Sequence, residues 1–372
     1  MAAMERYDRI DQRFKVLLLC TAAALLVSIV ISIAQFGVPL RAERSKIGFV
    51  LLAGKDEAGW NHSHYVGIKS ACSELHMDLL LREHVPERTG ACKIAVQDLI
   101  QQGCRVIFLP SYGHLPEVMD IVQAHPEVRF CTNAAEYRGK NIMAYAVRLY
   151  QARYLAGIVA GRQTKSGVIG YVTALANPEV DRGVNAFTLG VQRVNPTARV
   201  KLIRTGSWNA PDEERAAVHR LLQARADVLT YQVDGYTVAD EAAAAGVDFI
   251  GANELRPDDS GHQLTAVLCS WDRVYLDILQ KLHRREAKPV GYYWSGLEQD
   301  MVGLAPFSDR VAPETVAAVE AARQEIVAGR HIFSGALYDQ SGQLRCRTGE
   351  AIPDEVLMRQ VDWLVRGVDV LE

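Results

Sequence analysis

The sequence predicts an α/β protein made of two Rossmann-like lobes with parallel sheets, joined by a hinge and preceded by an N-terminal transmembrane helix. Two observations predict the lobes: short apolar runs alternate with segments of helical period in two successive series, and the predicted strands of both series end in aromatic or amide residues. A third observation, a long uncharged stretch near the N-terminus, predicts the membrane helix. With 372 residues, 49% of them hydrophobic, the chain is large enough for about two domains with cores of their own.

The N-terminal stretch spans residues 16–38 and contains no charged residue. It is long enough to cross roughly 30 Å of hydrocarbon as a helix, whereas the apolar core of a secretory signal has about 7–15 residues. We therefore expect a single-pass protein of the cell membrane, with residues 1–15 in the cytoplasm and the body in the periplasm or extracellular space. Ser32 and Ala34 leave cleavage after Ala34 open as an alternative.

Charge and cysteine content narrow the function classes. The net charge of −3 and the lack of a basic stripe give no reason to expect nucleic acid as a partner. The sequence has neither a Cys-x-x-Cys nor a paired histidine motif, so we expect no metal site. We expect buried free thiols, because a chain of this length can form a sufficient core without disulfides. Up to three disulfides stay open as the alternative, since an even number of cysteines follows the apolar stretch: Cys72, Cys92, Cys104, Cys131, Cys269 and Cys346.

The opening unit of the body, residues 46–72, predicts a strand, a loop and a helix. Residues 47–52 form an apolar run typical of a strand covered on both faces, and a helical spacing begins at His64. The loop tip between them carries Asp56, Glu57, Trp60 and Asn61. Ligands of open α/β sheets bind at the carboxyl ends of strands, so we expect Trp60 to face a ligand. The alternative is that Trp60 folds back as a lid on its own domain.

The first series continues with strands near 77–81, 106–109 and 129–132 and with helices near 91–101 and 116–124. Tyr112 follows the strand 106–109, and Asn133 follows the strand 129–132. Repeated βα units of this length imply parallel pairing with right-handed crossovers. We expect both side chains at the same sheet edge as Trp60.

The second series begins after a predicted helix at 154–162 and comprises strands at 168–172, 198–204, 228–232 and 249–251, with helices at 183–194, 213–224 and 237–245. Trp208, Asp234 and Asn253 follow the last three of these strands. Two series with similar strand ends predict two lobes that face one another across a cleft.

The lobes are predicted to be discontinuous in sequence. The N-terminal lobe would hold residues 46–149 and 264–284, and the C-terminal lobe residues 150–253 and 301–372, with crossovers near 133–149, 253–264 and 284–301. The helix at 271–282 would return to the first lobe.

Several motifs together resemble the basic membrane protein family. They are Asp56-Glu57-Ala58-Gly59-Trp60-Asn61, Tyr154-Leu155-Ala156-Gly157, Asn185-Ala186-Phe187-Thr188-Leu189-Gly190, Gly206-Ser207-Trp208, Tyr293-Trp294-Ser295-Gly296-Leu297 and Trp363-Leu364-Val365-Arg366-Gly367-Val368. The resemblance covers almost everything after residue 46. It implies a type I periplasmic-binding-protein fold, no cofactor, and a solute receptor that works with an ABC permease and ATPase, in a family whose characterised members bind purine bases or nucleosides.

The resemblance also implies a pocket. Trp60 and Trp208 would sandwich a flat heterocycle, a contact worth roughly 0.5–1.5 kcal/mol beyond its buried area. Asn61 and Asn133 can each donate and accept, which suits a base edge or a ribose hydroxyl.

Two of the remaining predicted ligand contacts also have a purely structural interpretation. Asp234 and Asn253 would contact the sugar or base, although Asp234 before Gly235 is also typical of a turn cap. Tyr112 and Trp271 would line the walls, although Trp271 also fits the buried stripe of a helix.

Two departures from the family leave the ligand and role open. Members that bind intact nucleosides commonly have an aspartate in the segment occupied by residues 251–254 and a lysine near the start of the helix that follows Cys269; neither stands at the matching position. A free purine base is therefore as compatible as a nucleoside. The predicted anchor leaves a membrane-bound sensor of a signalling system as an alternative to transport.

A catalytic function is the other alternative. His62 and His64 lie near Asp56 and Glu57, but no Gly-x-Ser-x-Gly elbow, phosphate-binding loop or metal-ligand set accompanies them. We expect a binding protein and no enzyme, with a nucleoside-processing activity left as the lesser alternative.

Overall fold

The computed structural model describes residues 14–28, 44–134, 137–255, 260–284 and 292–371, and the chain divides into two compact units, Met1–Ser45 and Lys46–Glu372. In the first unit, residues 14–28 form helix α1. Over the described ranges, no helix is both long enough and apolar enough to cross a membrane. The predicted transmembrane helix at 16–38 is therefore not found there; its second part, with the predicted cleavage position, and residues 1–13 lie outside the described residues.

The first lobe is built on a six-stranded sheet in which all paired strands are parallel. Its strands are β1 (Lys46–Val50), β2 (Asp78–Arg82), β3 (Val106–Leu109), β4 (Arg129–Thr132), β5 (Ile142–Val147) and β11 (Tyr292–Ser295). They lie in the order β11-β5-β4-β3-β1-β2. Its helices are α2 (Trp60–Glu74), α3 (Ala91–Gln101), α4 (His114–Glu117), α5 (Met119–Ala124) and α10 (Trp271–His283). Residues 47–50 of β1 are all buried, as expected for a strand covered on both faces.

The second lobe is built on a seven-stranded sheet. Its strands are β6 (Val168–Thr173), β7 (Arg199–Arg204), β8 (Val228–Gln232), β9 (Asp248–Ala252), β10 (Gln263–Cys269), β12 (Val302–Leu304) and β15 (Val368–Val370). They lie in the order β12-β10-β9-β8-β6-β7-β15 and are parallel except for the antiparallel pair β10–β12. Its helices are α6 (Leu149–Gln163), α7 (Pro178–Val194), α8 (Pro211–Gln223), α9 (Thr237–Ala244), α11 (Pro313–Val327) and α12 (Asp354–Arg359). A short antiparallel pair, β13 (Leu337–Tyr338) and β14 (Leu344–Cys346), stands apart from both sheets.

Strand pairing places two segments differently from the prediction. Strand β10 pairs with β9 in the second sheet instead of returning to the first lobe with α10. Strand β11, which lies within the predicted crossover 284–301, pairs with β5 in the first sheet, and β5 itself lies within the predicted crossover 133–149. Apolar periodicity shows that a segment is a strand but not which sheet it joins. The chain accordingly passes between the sheets after β5, after β10 and after β11.

Helices α2, α6 and α7 each begin four or five residues earlier than predicted, α6 at Leu149 instead of residue 154. Helix α2 begins at Trp60, so Trp60 and Asn61 are first-turn residues instead of loop residues. Helix α7 begins at Pro178, because Asn177 caps it by accepting a 2.9 Å hydrogen bond from the Val180 N–H and proline suits the first helical position.

Helices α6 and α7 lie in direct backbone contact in the core of the second lobe. A Cβ built on Gly157 would lie 2.0 Å from the Phe187 oxygen, and one built on Gly190 would lie 2.0 Å from the Tyr154 oxygen. These two glycines, both within the family motifs, therefore allow an approach that no other residue would permit. All seven cysteines lie in described residues and are unpaired.

Candidate functional site

A cavity lies at the carboxyl ends of strands from both sheets. Its lining includes six of the eight predicted residues: Trp60, Tyr112, Asn133, Trp208, Asp234 and Asn253. The first three come from the six-stranded lobe and the last three from the seven-stranded lobe, so the cavity lies between the lobes.

Trp60 is held in its position by an aromatic cluster. Its ring centroid lies 4.1 Å from that of His64 and 5.5 Å from that of Trp271, the latter at an interplanar angle of 77°. Trp60 directly follows Gly59, whose φ of 96° turns the chain into helix α2. Because two helices, α2 and α10, supply the cluster, the ring that lines the cavity rests on a rigid support.

Trp208 reaches the cavity from the other lobe, in the segment between β7 and α8. It is half-buried, and its carbonyl oxygen accepts a 2.6 Å hydrogen bond from the Asp234 N–H. This bond joins the ends of two strands, so Trp208 and Asp234 are positioned together.

Each lobe places one asparagine directly after a strand, Asn133 after β4 and Asn253 after β9. Asn133 is buried at the end of β4, with 7% of its surface exposed. Asn253 follows β9 with a φ of 67°, a left-handed conformation that asparagine tolerates better than most residues, and its N–H donates to the Val267 oxygen at 2.9 Å. Both residues line the cavity.

Asp234 connects the lobes. Its Oδ1 accepts a 3.2 Å hydrogen bond from the Trp60 N–H of the first lobe. Burial raises the pKa of the Asp234 carboxyl to about 7, with smaller raising effects from the charges of Glu214 and Glu57, while the Trp60 hydrogen bond acts in the opposite direction. Near neutral pH the carboxyl can therefore be present as an acceptor or, when protonated, as a donor.

A second carboxylate, which the sequence did not single out, also joins the lobes. Glu254 Oε1 accepts hydrogen bonds from the Gly59 N–H at 2.8 Å and from the Tyr236 hydroxyl at 2.6 Å. The structure thus holds the β1–α2 loop against the strand ends of the second lobe, which is a closed arrangement of the lobes.

Two predicted site residues lie elsewhere. Asn61 is buried, and its Oδ1 accepts a 3.2 Å hydrogen bond from the Ala53 N–H, so its side chain supports the β1–α2 loop; it borders an adjoining depression that shares Leu52, Trp208 and Asp234 with the cavity. Trp271 is only 3% exposed and stacks on Tyr275 at 5.8 Å, because its helix turns this stripe toward α2. Neither residue lines the cavity.

The cavity wall also contains residues that the sequence analysis missed. They include Ser111, Arg153, Asn177, Glu179 and Gln232. For Arg153 a signal was present: it is a charged residue within the helix Leu149–Gln163, most of whose residues are apolar or small. For the others, position after or near a strand end was the only available sign.

The histidines near the first loop have structural roles. His64 is fully buried, hydrogen-bonds to the Tyr275 hydroxyl through Nδ1, and has a pKa well below its ordinary value because burial disfavours its charged form. His62 Nδ1 contacts the Lys55 oxygen at 3.0 Å, and neither histidine lines the cavity. Over the part of the chain that the structure describes, no group of three or more His, Cys, Asp or Glu side chains could hold a metal ion.

The chain is similar to several solute-binding proteins. It is 28% identical over 337 residues to a purine-binding protein of Brucella abortus, covering 88% of this chain and 93% of that protein. It is 27% identical over 337 residues to a putative ABC transporter glucose-binding protein, TsgA13, of Haloferax volcanii, covering 90% of this chain and 82% of that protein.

Solved structures agree on the fold. An ABC transporter solute-binding protein of Aeropyrum pernix superposes with a TM-score of 0.66 at 18% identity, over 77% of this chain and 92% of that one. A transcriptional activator of the comK gene of Bacillus halodurans superposes with a TM-score of 0.67 at 21% identity, over 77% of this chain and 98% of that one.

The family itself is shown by its sequence model. Residues 44–335 match the Bmp family model, described as an ABC transporter substrate-binding protein, PnrA-like. The predicted resemblance to the basic membrane proteins is thereby confirmed, and the family is one of substrate-binding proteins and not of enzymes. The chain belongs to the Bmp family of PnrA-like ABC transporter substrate-binding proteins.

Proposed function

We propose that this solute-binding protein encloses a purine base, free or as part of a nucleoside, between its two lobes and presents it to an ABC permease and its ATPase. The observation that carries the proposal is that one tryptophan from each lobe, Trp60 and Trp208, lines the same cavity together with Asn133 and Asn253. Flat aromatic walls with a few amide groups suit a planar heterocycle that has donors and acceptors at its edge. The similarity to a purine-binding protein of Brucella abortus supports the same ligand class.

Closure of the lobes couples binding to transport. The Gly59–Glu254 and Trp60–Asp234 hydrogen bonds join the lobes only when they are closed. A ligand that contacts both lobes adds its binding free energy to these bonds and shifts the population toward the closed form. The permease then distinguishes loaded from empty receptor by the closed surface.

We place the body outside the cytoplasm and tethered to the membrane. The support is the family, whose members serve ABC transporters, and the uncharged stretch 16–38 of the sequence. Protease protection of membrane vesicles that contain the full chain tests the placement: digestion of the body from the cytoplasmic side would contradict it.

A ligand screen tests the proposed function. The full chain is heated with purine bases, nucleosides, sugars and amino acids in parallel. A ligand that binds only the folded state stabilises it by mass action, so a micromolar binder at millimolar concentration adds about 4 kcal/mol to the free energy of unfolding. We expect an increase in Tm with purines; no increase with any purine would contradict the proposal.

A sugar is the second candidate ligand. The Haloferax volcanii relative is named as a putative glucose-binding protein and is nearly as similar to this chain as the Brucella abortus relative. The same screen separates the two candidates, since an increase in Tm with glucose but with no purine would replace the purine by a sugar.

A further inference from the structure

Strand β2 forms an open edge of the six-stranded sheet, because it lies last in the strand order beside β1. The Leu51 N–H donates to the Arg82 oxygen at 2.7 Å, so Arg82, and with it every second residue of β2, directs its backbone groups toward β1. Leu79 and Leu81 therefore direct theirs outward. Among the described residues, the Arg82 side chain is the one group that bonds to these outward atoms, at the Leu81 oxygen.

An edge of the other sheet is covered. Strand β15 ends the seven-stranded sheet, and Gln340 Nε2 donates a 2.7 Å hydrogen bond to its Val368 oxygen. Natural edge strands are protected by such a cover, or by a lysine, a proline or a bulge, because open backbone groups pair with other chains. Between Asp78 and Arg82, strand β2 has three leucines and a regular register, and so lacks these devices. Its outward backbone groups are open to another chain.

The sequence of β2 is complementary to a second copy of itself. When two copies run antiparallel and cross at Leu80, Leu79 of each lies opposite Leu81 of the other, and these are the residues with outward backbone groups. Each such pair exchanges two N–H to oxygen hydrogen bonds. Asp78 of each copy then lies opposite Arg82 of the other, so opposite charges face each other. A two-fold axis at Leu80 therefore satisfies both strands with the same contacts.

An exposed isoleucine lies beside this edge. Arg82 Nε donates a 2.8 Å hydrogen bond to Asp98 of α3, so this side of α3 flanks β2. Ile94 lies one turn before Asp98 on the same side of the helix. Lys93, on the opposite side, pairs with Asp120 of α5 at 2.7 Å. With 73% of its surface exposed, Ile94 is the most exposed large hydrophobic residue among those that the structure describes.

We propose that β2 and the Ile94 side of α3 form a contact between two copies of this chain, which joins their six-stranded sheets into one. An antiparallel pair about a two-fold axis normal to the sheet keeps α3 of both copies on one face, so Ile94 of each copy faces the other. The same partner then pairs the open backbone groups and covers the exposed apolar side chain. The contact uses the first lobe and does not depend on which ligand the cavity binds.

Sedimentation of the full chain in a mild detergent tests the proposal without any variant. The detergent covers the uncharged stretch 16–38. We expect a dimer at protein concentrations of about 10–100 μM, with dissociation on dilution, because the stability of an assembly depends on the concentration of its subunits. A monomer at all of these concentrations would overturn the proposal.

Cysteine substitutions test the register. Residue 80 would lie opposite its own copy in a pair without hydrogen bonds, with Cα atoms about 4.5 Å apart, which a disulfide can bridge. Leu80→Cys should therefore form a covalent dimer on oxidation, seen in non-reducing electrophoresis. Leu79→Cys is the matched control, because two copies of residue 79 would be diagonal neighbours about 7–8 Å apart, too far to bridge. Both are made together with Cys20→Ser, since Cys20 is exposed.

Ile94→Glu tests the helix side of the contact. We expect the dissociation constant of the dimer to rise at least about 10-fold, because a charge replaces an apolar group that faces the second copy. Val327→Glu, at another exposed apolar position on α11, is the control and should leave it unchanged. The Tm of each variant shows whether it folds. A dimer that is unaffected by Ile94→Glu, or that cross-links equally through both cysteines, is formed by another surface and overturns the proposal.

Discussion

At the scale of single residues, the cavity depends on how each tryptophan is held. Trp60 rests on His64, whose ring in turn lies 3.8 Å from that of Trp271, and the Tyr275 hydroxyl that binds His64 also lies 3.2 Å from the Tyr145 hydroxyl. Burial keeps the pKa of His64 low, so the ring stays neutral and packs as an aromatic group. The residues that do not touch the cavity therefore determine where the stacking surface lies.

Truncation of either tryptophan should remove most of the affinity for the ligand. For Trp60→Ala and Trp208→Ala we expect Kd to rise about 30-fold or more, since aromatic anchors of this kind are worth about 2 kcal/mol or more. Calorimetric titration with the tightest ligand of the screen measures the change. Trp363→Phe, a buried site outside the cavity, is the control. Unchanged affinity in both alanine variants would exclude the sandwich.

Asp234 should make stability depend on pH in a defined window. Its pKa is raised from 3.8 to about 7 in the folded protein, so the folded state binds more protons than the unfolded state between these values. The free energy of unfolding contributed by Asp234 is therefore greatest below the unfolded pKa, falls as pH rises, and levels off above about 7.

The comparison with Asp234→Asn isolates this effect, because asparagine does not titrate. We expect the Tm of the unmodified chain, measured relative to the Asn variant, to decrease between about pH 4 and pH 7, the interval between the unfolded and folded pKa values of Asp234. Parallel Tm curves for the two proteins over that interval would show that Asp234 is not desolvated.

At the scale of elements, the loop between β1 and α2 closes the cavity. Gly59 adopts a φ of 96°, and a Cβ at this position would lie 3.3 Å from both Asp234 Oδ1 and the Gly235 nitrogen of the other lobe. Its N–H binds Glu254. The glycine thus satisfies a turn and a close contact between lobes at the same time.

Gly59→Ala should weaken ligand binding, because the added methyl group would crowd Asp234 and Gly235 of the other lobe when the lobes are closed. We expect Kd to rise roughly 5- to 10-fold, the equivalent of about 1–1.4 kcal/mol. Gly90→Ala is a matched control, since Gly90 also has a positive φ, 83°, but no atom lies within 4 Å of its added Cβ. Equal losses of affinity in both variants would assign the effect to backbone strain instead of lobe contact.

At the scale of the whole molecule, the two lobes are joined by the hinge and also by hydrogen bonds beyond the carboxyl ends of their strands. Glu254 is central to the second set, because it accepts from Gly59 of one lobe and from Tyr236 of its own. Hydrogen bonds to a charged group contribute about 1.5–3 kcal/mol each. Removing this carboxylate should therefore shift the molecule toward an open form.

Small-angle X-ray scattering measures that shift. For ligand-free Glu254→Ala we expect a larger radius of gyration than for the ligand-free unmodified protein, because fewer molecules are closed, and a decrease in both proteins at saturating ligand. Glu213→Ala, at an exposed position of α8, is the control. A radius unaffected by Glu254→Ala would mean that the hinge alone keeps the lobes closed.

Local patterns predicted much of the fold and part of the site. The bounds of β3, β4, β8 and α3 agree with the apolar runs and helical spacing, since each signal is contained within its own segment. Placing Trp60, Trp208 and Asn133 near a cleft needed only the rule that strand ends meet at one sheet edge. Those predictions depend only on residues that are close together in the chain, and the sequence shows these directly.

Contacts between distant segments were decided by the tertiary structure. Residues 263–269 could pair in either sheet, and packing placed them beside β9. Trp271 had a ligand-facing and a buried interpretation, and the approach of α10 to α2 buried it. Arg153 lies in a helix with no strand-end signal, and only the arrangement of α6, α7 and β8 brings it beside Gln232 at the cavity. The physical reason is the same in each case: local propensity specifies an element, whereas its partners are chosen by the burial and hydrogen bonding of groups far apart in sequence.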